Sequence, residues 1–99
     1  MKRMSGWEPY DPTWLLELAR EQLPEEVWLQ DALAVCRRAW TKSPAYVYFV
    51  NPQNPNIVGS EWQFETNMVL EHPTEGELVL DILRGRRVGG VEFISKIEQ

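Results

Sequence analysis

Residues 61–71 show the clearest alternation of apolar and polar side chains in the chain. One set of alternating positions holds Trp62, Phe64, Thr66, Met68 and Leu70, and the other holds Glu61, Gln63, Glu65, Asn67 and Glu71. A period of two is typical of a β-strand with one buried face. We therefore predict a strand here, with the face that begins at Trp62 and Phe64 in the core.

The N-terminal half has the spacing of helices instead. Asp11-Pro12 favours a helix start, because aspartate caps free N–H groups and proline is tolerated in the first turn. Pro24, with two glutamates after it, favours a second start. The second segment has one broad apolar face, formed by Trp28, Leu29, Ala32, Leu33, Val35, Cys36, Ala39 and Trp40. We predict helices over about residues 12–42, and the sequence leaves open whether Pro24 separates two helices or kinks one.

The remaining segments predict further strands. Residues 46–50 are apolar on both faces, which suits an inner strand, and residues 77–94 form two strand-like runs around a turn at Gly85. We expect an α+β fold in which two N-terminal helices pack on one face of a three- or four-stranded antiparallel sheet, over about residues 45–95. Residues 11–99 are expected to form a single domain after a flexible N-terminal segment, residues 1–10.

The second face of this sheet has two alternative descriptions. It is either solvated and acidic, or partly covered by a second copy of the chain. The acidic residues available to line it are Glu61, Glu65, Glu71, Asp81 and Glu92. The sequence alone does not choose between the two.

Composition places the chain among ordinary globular proteins with one modest core. The chain has 99 residues, of which 43% are hydrophobic and 25% charged, and a domain of this size buries about 60–70% of the surface of its unfolded chain. No apolar run approaches the roughly 18 residues of a membrane span, and the N-terminus lacks the apolar segment of a secretion signal. A single cysteine, Cys36, excludes an intramolecular disulfide. We expect a cytoplasmic protein without membrane association.

Charge argues against general nucleic-acid binding. The formal net charge is −5, whereas phosphate contacts need a basic face. Arg84, Arg86 and Arg87 form a basic turn that can hold phosphate or an acidic partner through guanidinium forks. A charged hairpin tip that promotes solubility and blocks edge pairing explains the same residues. Trp7 and Tyr10, near the N-terminus, either pack back on the domain or serve as anchors for a partner.

No set of residues with a catalytic mechanism is visible. His72, the only histidine, lies in a predicted turn, and nothing local supplies a Ser-His-Asp or Cys-His set. Cys36 lies on the predicted apolar helix face, where a thiol is inert. Glu61 and Glu65 are about 13 Å apart along an ideal strand, too far for a catalytic pair. The carboxylates have no His or Cys companions at metal-ligand spacing, so we expect no enzyme activity, cofactor or metal.

One segment carries a family resemblance. Residues 78–94 contain, in order, an apolar run, an aspartate, a turn glycine, basic residues and a closing apolar strand, with the pattern positions filled by Asp81, Gly85, Gly90, Val91 and Glu92. This pattern resembles the closing hairpin of a small prokaryotic family of unknown function. The family usually has one glycine where this chain has Gly89 and Gly90, which leaves the register of the second strand open by one residue. The resemblance implies a small antiparallel β unit and, by analogy with partner-binding proteins found beside toxins, a protein partner.

These observations favour a non-enzymatic protein-interaction module that binds a protein partner or a second copy of itself. A specific version is an antitoxin- or immunity-like inhibitor, in which a small acidic protein covers the basic active site of its partner. The alternative is a nucleic-acid-associated protein that uses the turn over residues 84–87 and whose binding falls steeply as salt rises. An enzyme that uses carboxylates and His72 ranks third.

Overall fold

A six-stranded antiparallel sheet organises the computed structural model, which describes residues 6–97. The strands are β1 (Glu8–Pro9), β2 (Arg38–Ser43), β3 (Tyr46–Tyr48), β4 (Phe64–His72), β5 (Gly76–Leu83) and β6 (Arg87–Phe93). The helices are α1 (Thr13–Gln22), α2 (Val27–Ala34) and a short 3-10 helix over Ile94–Lys96. The strand order is β1-β2-β3-β6-β5-β4, and neighbouring strands are antiparallel. The predicted α+β class is confirmed, but the predicted sheet of three or four strands is too small.

One additional strand comes from residues that were predicted to be helical. Helix α2 ends at Ala34, not near residue 42, and β2 follows at Arg38. In β2 an exposed Arg38 precedes a buried Ala39, and the register pairs Trp40 with Tyr48. Pairing with β3 supplies hydrogen-bond partners to a segment whose apolar spacing also fits a helix, so tertiary contacts override the local pattern.

The other additional strand comes from the segment expected to be flexible. Residues 1–5 lie outside the described residues, but Glu8 pairs with Ala39 and Pro9 pairs with Arg38, which makes β1 an edge strand of the sheet. The Tyr10 N–H then donates to the Arg37 carbonyl at 2.9 Å. The chain therefore joins the sheet before the first helix begins.

The structure answers the question that Pro24 left open. Helix α1 ends at Gln22 and α2 begins at Val27, so Pro24 lies in a turn between two separate helices. At the start of α1, the Asp11 carboxylate accepts a hydrogen bond from the Thr13 N–H at 3.0 Å. Asp11-Pro12 thus marks a helix start, as predicted.

The core lies between the two helices and one face of the sheet. The register places Val47 beside Val91 and Val91 beside Leu80, which forms an aliphatic row across three central strands. From the other side, Leu15, Ala19, Leu29 and Leu33 of the helices are fully buried. We call this the covered face of the sheet and the opposite one the helix-free face.

A bulge in β4 changes the side to which part of the strand points, so the predicted facing of this strand needs correction. The register pairs Phe64 with Leu83 and Thr66 with Ile82, which leaves Glu65 as an extra residue. An extra residue reverses the side to which the following side chains point. Leu70 therefore packs in the core, whereas Phe64 points to the helix-free face and is 40% exposed. The expectation that Phe64 is a core residue is wrong.

A second bulge explains the two consecutive glycines of β6. Asp81 pairs with Gly90 and Ile82 pairs with Val88, so Gly89 is the extra residue. A Cβ atom at Gly89 would lie 2.8 Å from the Trp62 ring, closer than side-chain contacts allow. The doubled glycine therefore makes a bulge over which Trp62 packs, and this fixes the register that the sequence left open.

Candidate functional site

A row of side chains crosses the helix-free face over five strands. Paired residues of neighbouring strands point to the same side of a sheet, and the register links Trp40, Tyr48, Gly90, Asp81 and Asn67 in that order. The row is aromatic at one end and polar at the other. Of the acidic residues that the sequence pattern assigned to this face, Asp81 is only 7% exposed, whereas Glu71 is exposed beside Glu77.

Five aromatic side chains form a connected cluster on this face. The ring centroids of Trp7 and Trp40 are 6.4 Å apart, those of Trp40 and Tyr48 are 5.5 Å apart, and Tyr48 stacks on Tyr46 at 4.5 Å. Trp62 meets Tyr48 edge-on at 5.6 Å. These separations lie in the favourable range for aromatic pairs. Each ring therefore restrains its neighbours and the cluster forms a preorganised surface.

A polar network anchors the cluster to the centre of the sheet. The Tyr46 hydroxyl donates to one carboxylate oxygen of Asp81, and the Asn67 side-chain amide donates to the other at 2.9 Å. Burial raises the pKa of Asp81 and outweighs these two hydrogen bonds, which act to lower it. The pKa of Tyr46 is also raised, by burial and then by the neighbouring carboxylate. Tyr46 thus stays a neutral donor.

Gly90 permits this network. A Cβ atom there would lie 2.7 Å from the backbone oxygen of Val47 and 3.4 Å from the Tyr46 ring. Without a side chain at this position, the Tyr46 ring passes over β6 and its hydroxyl reaches Asp81 on β5. The glycine of the hairpin pattern therefore has a packing role.

An open groove of about 720 Å³ borders the cluster. The rings of Trp7, Trp40 and Tyr48 line it, together with the side-chain amides of Asn51 and Gln53. Gly6, Lys42 and Pro52 complete the lining within the described residues. The indole N–H of Trp40 makes no hydrogen bond to any residue in the range 6–97. We call this the aromatic groove, and it can bind apolar rings and hydrogen-bond a ligand at the same time.

The structure divides the predicted arginine turn between two environments. Arg86 and Arg87 line a second pocket, of about 400 Å³, that also contains Arg37 and Arg38. Arg84 is exposed and does not line this pocket, and its backbone N–H donates to the Gln63 carbonyl at 2.8 Å. Two arginines of the turn therefore share a site with Arg37 and Arg38. The sequence-based prediction did not connect these two pairs, because it placed Arg37 and Arg38 in a helix.

The two N-terminal aromatic residues also have different environments. Trp7 lines the aromatic groove. Tyr10 packs against Phe49 with centroids 5.2 Å apart, and its hydroxyl accepts a hydrogen bond from the Trp14 indole at 3.0 Å. Burial raises the pKa of Tyr10. Of the two predicted anchors, Trp7 is placed to contact a ligand, whereas Tyr10 joins the core.

The histidine and the cysteine have structural environments. In the β4–β5 turn, the His72 Nδ1 accepts hydrogen bonds from the backbone N–H groups of Thr74 at 3.1 Å and Glu75 at 3.0 Å. The Cys36 thiol is buried and lies 3.4 Å from the Ala32 carbonyl oxygen. Burial raises the pKa of Cys36 to about 12, so the thiolate is scarce at neutral pH.

Sequence reasoning missed three residues of the aromatic surface. Trp40 was assigned to a helix face, and Tyr46 and Tyr48 were assigned to an inner strand without a role of their own. The usable signal was the spacing of the two tyrosines, because residues two apart on a strand share a face. The local sequence pattern did not indicate that Trp40 pairs with Tyr48.

Comparisons with known proteins add no relative. No family model, no curated protein and no solved structure matches the chain. The resemblance of the C-terminal hairpin to a prokaryotic family stays a prediction. Among the described residues, no helix is long and apolar enough to cross a membrane.

Proposed function

We propose that this protein is a non-enzymatic protein-interaction module whose aromatic groove binds an extended, proline-containing segment of a partner protein. The observation that carries the proposal is the position of three neighbouring rings along one open groove on the helix-free face. Proline-rich segments adopt an extended helix without internal hydrogen bonds, so their carbonyl groups are free to accept bonds from a binding site. Domains that recognise such segments use aromatic-lined grooves.

The chemistry of the groove fits this occupant. Flat proline rings lie on the faces of Trp7, Trp40 and Tyr48, while the indole N–H of Trp40 and the amides of Asn51 and Gln53 serve as partners for the backbone of the segment. The segment is already extended before binding, so little conformational entropy is lost. The polar network beneath Tyr46 keeps the ring surface in place.

The inhibitor version of this function stays a prediction without support from the groove. Lys42 is the charged residue among its described lining, so the groove does not offer the negative charge that would cover a basic active site. Nucleic-acid binding through the turn over residues 84–87 also stays a prediction, and the pocket that contains Arg86 and Arg87 lies apart from the groove.

The test is titration of the isotope-labelled protein with a synthetic polyproline peptide of about ten residues. We expect NMR shifts at the indole N–H groups of Trp7 and Trp40 and at the backbone of Tyr48. Trp40→Ala should weaken binding by about tenfold or more, which corresponds to roughly 1.4 kcal/mol.

Trp28→Ala is the matched control, because Trp28 is a half-buried tryptophan outside the groove. Thermal melting of both variants separates lost binding from lost fold. Equal effects of the two substitutions, or the absence of shifts at the groove residues, would contradict the proposal. Shifts at these residues with a soluble gluco-oligosaccharide and none with polyproline would assign the groove to carbohydrate instead.

A further inference from the structure

Four arginines surround one pocket where the β5–β6 turn, the residues after α2 and the residues after β3 meet. Arg37, Arg38, Arg86 and Arg87 line this opening of about 400 Å³. The chain has seven arginines and a net charge of −5. More than half of the arginines of an acidic protein therefore gather at a single concave site, which we call the arginine pocket. Such a concentration raises the local positive potential and attracts anions.

Among the described residues, no carboxylate oxygen lies within 4 Å of these guanidinium groups, although hydrogen bonds from Thr13 and, to a smaller extent, the charge of Arg37 lower the pKa of Asp11. Over residues 6–97 the ion pair within 4 Å is Lys96–Glu75, at 3.3 Å. Arg87 donates to two carbonyl oxygens, from Nε to Arg84 and from Nη2 to Glu61, each at 2.9 Å. The guanidinium groups of Arg37, Arg38 and Arg86 make no hydrogen bond to any residue in that range. The N–H donors of three of the four guanidinium groups can therefore bind a ligand.

Arg86 lies in the β5–β6 turn, and its side chain packs on Trp28 beside the pocket. Arg86 has a φ angle of +57°, in the left-handed region that residues other than glycine rarely adopt. Its guanidinium lies over the Trp28 ring, 5.4 Å from the ring centroid. Gly85, the preceding residue, has a φ angle of +82°, so both positive angles belong to the tight β5–β6 turn that carries Arg86 to the pocket.

The floor of the pocket is apolar. Phe49, Val50 and Val88 line it, and Val35, which is 76% exposed, also borders the pocket. Cys36 also lines the pocket, and its buried thiol is neutral because burial raises its pKa to about 12. A ligand that fits both parts carries an anionic group and an apolar body. The volume is at the small end of the range for small-molecule sites, which is roughly 300–1,000 Å³.

We infer that the arginine pocket binds a small organic phosphate, a phosphate monoester whose apolar ring or chain lies on the floor. A phosphate has nearly two negative charges and three accepting oxygens at neutral pH, so it can meet several guanidinium forks at once. A carboxylate has one charge and two oxygens and would leave more of the positive charge unbalanced. This site shares no lining residue with the aromatic groove, so the inference is independent of the proposed function.

The test is titration of the full chain with phenyl phosphate, followed by NMR and by calorimetry. We expect shifts at the Trp28 indole N–H and at the backbone N–H groups of Val50 and Val88. Inorganic phosphate should bind more weakly, because it lacks the apolar body. Arg38→Gln and Arg86→Gln should each weaken phenyl phosphate binding by about tenfold or more.

Arg84→Gln is the matched control, since Arg84 belongs to the same exposed turn but not to the pocket. This variant should bind phenyl phosphate like the unmodified protein, and melting temperatures show that each variant is folded. Three results would overturn the inference. They are an equal loss in Arg84→Gln, tighter binding of phenylacetate than of phenyl phosphate, and preferential binding of a single-stranded oligonucleotide without terminal phosphates.

Discussion

The two faces of the sheet use different side chains and are closed in different ways. On the covered face, Leu80 and Val91 are fully buried against the two helices. On the helix-free face, Trp62 closes one part of the surface over Gly89, while Trp40 and Tyr48 border an open groove. The covered face thus needs a second layer of structure, whereas the helix-free face is only partly closed by its own rings.

Under the proposed function, this difference separates stability from binding within one small domain. Aliphatic side chains interdigitate between a helix and a sheet, and their burial supplies most of the driving force for folding. Aromatic rings that lean along a sheet bury a large area without a covering layer and keep an accessible edge. Changes on the covered face should therefore alter unfolding, and changes at the open end of the helix-free face should alter binding.

The largest expected effect tests whether the helix-free face also contributes to stability. Trp62→Ala should lower the free energy of unfolding by about 3–5 kcal/mol, because it empties the space over the Gly89 bulge. Phe64→Ala, on the same face but 40% exposed, should change it by only about 0.5 kcal/mol. Urea denaturation measures both. Equal effects would mean that Phe64 is packed as tightly as Trp62, contrary to its exposed position on the helix-free face.

An intermediate effect is expected at Gly90, which lies on the helix-free face where β3 and β6 approach closely. Gly90→Ala places a methyl group 2.7 Å from the Val47 backbone oxygen, so β3 and β6 must separate. We expect a loss of about 1–3 kcal/mol in the free energy of unfolding. The hydroxyl of Tyr46 should also lose its contact with Asp81, which NMR of the tyrosine ring reports. An unchanged stability would show that the close approach of these strands is not required.

The smallest expected effect is on the pH dependence of the free energy of unfolding. It reports on the buried carboxyl of Asp81 on the helix-free face. Because the pKa of Asp81 is raised from its ordinary value of 3.8, the folded protein holds this proton more tightly than the unfolded chain. The contribution of Asp81 to stability therefore decreases as pH rises from the ordinary value through the raised one, and is constant above it. Asp81→Asn should remove this decrease while an amide oxygen still accepts the Tyr46 hydroxyl.

The measurement is urea denaturation of both proteins from about pH 3 to about pH 8. The difference in slope between the two curves should be confined to the window that begins at the ordinary pKa of aspartate and ends at the raised pKa of Asp81. Glu92 has a pKa raised by burial and then by the charge of Asp81, so its titration should move to lower pH in the variant. Parallel curves over the whole range would contradict a raised pKa at Asp81.

Sequence reasoning found the hairpins but misplaced the face of individual residues. The C-terminal strands were predictable because apolar runs flank a turn glycine, and Gly85 indeed has a φ angle of +82°. The side to which Phe64 points was not predictable, because the bulge at Glu65 exists only in the pairing of β4 with β5. In the same way, the arginine pocket joins Arg37 and Arg86, which are far apart in the chain and belong to different elements.

The sequence by itself determined the α+β class, the turn at Gly85 and the apolar helix positions that enter the core, since these follow from local propensity and periodicity. Tertiary structure alone decided that Arg38–Ser43 is a strand and that Gly89 is an extra residue. It also decided that Trp7, Trp40 and Tyr48 share a groove. The physical reason is that pairing partners, bulges and pockets are properties of contacts between distant segments, and no local pattern records which segment will supply the partner.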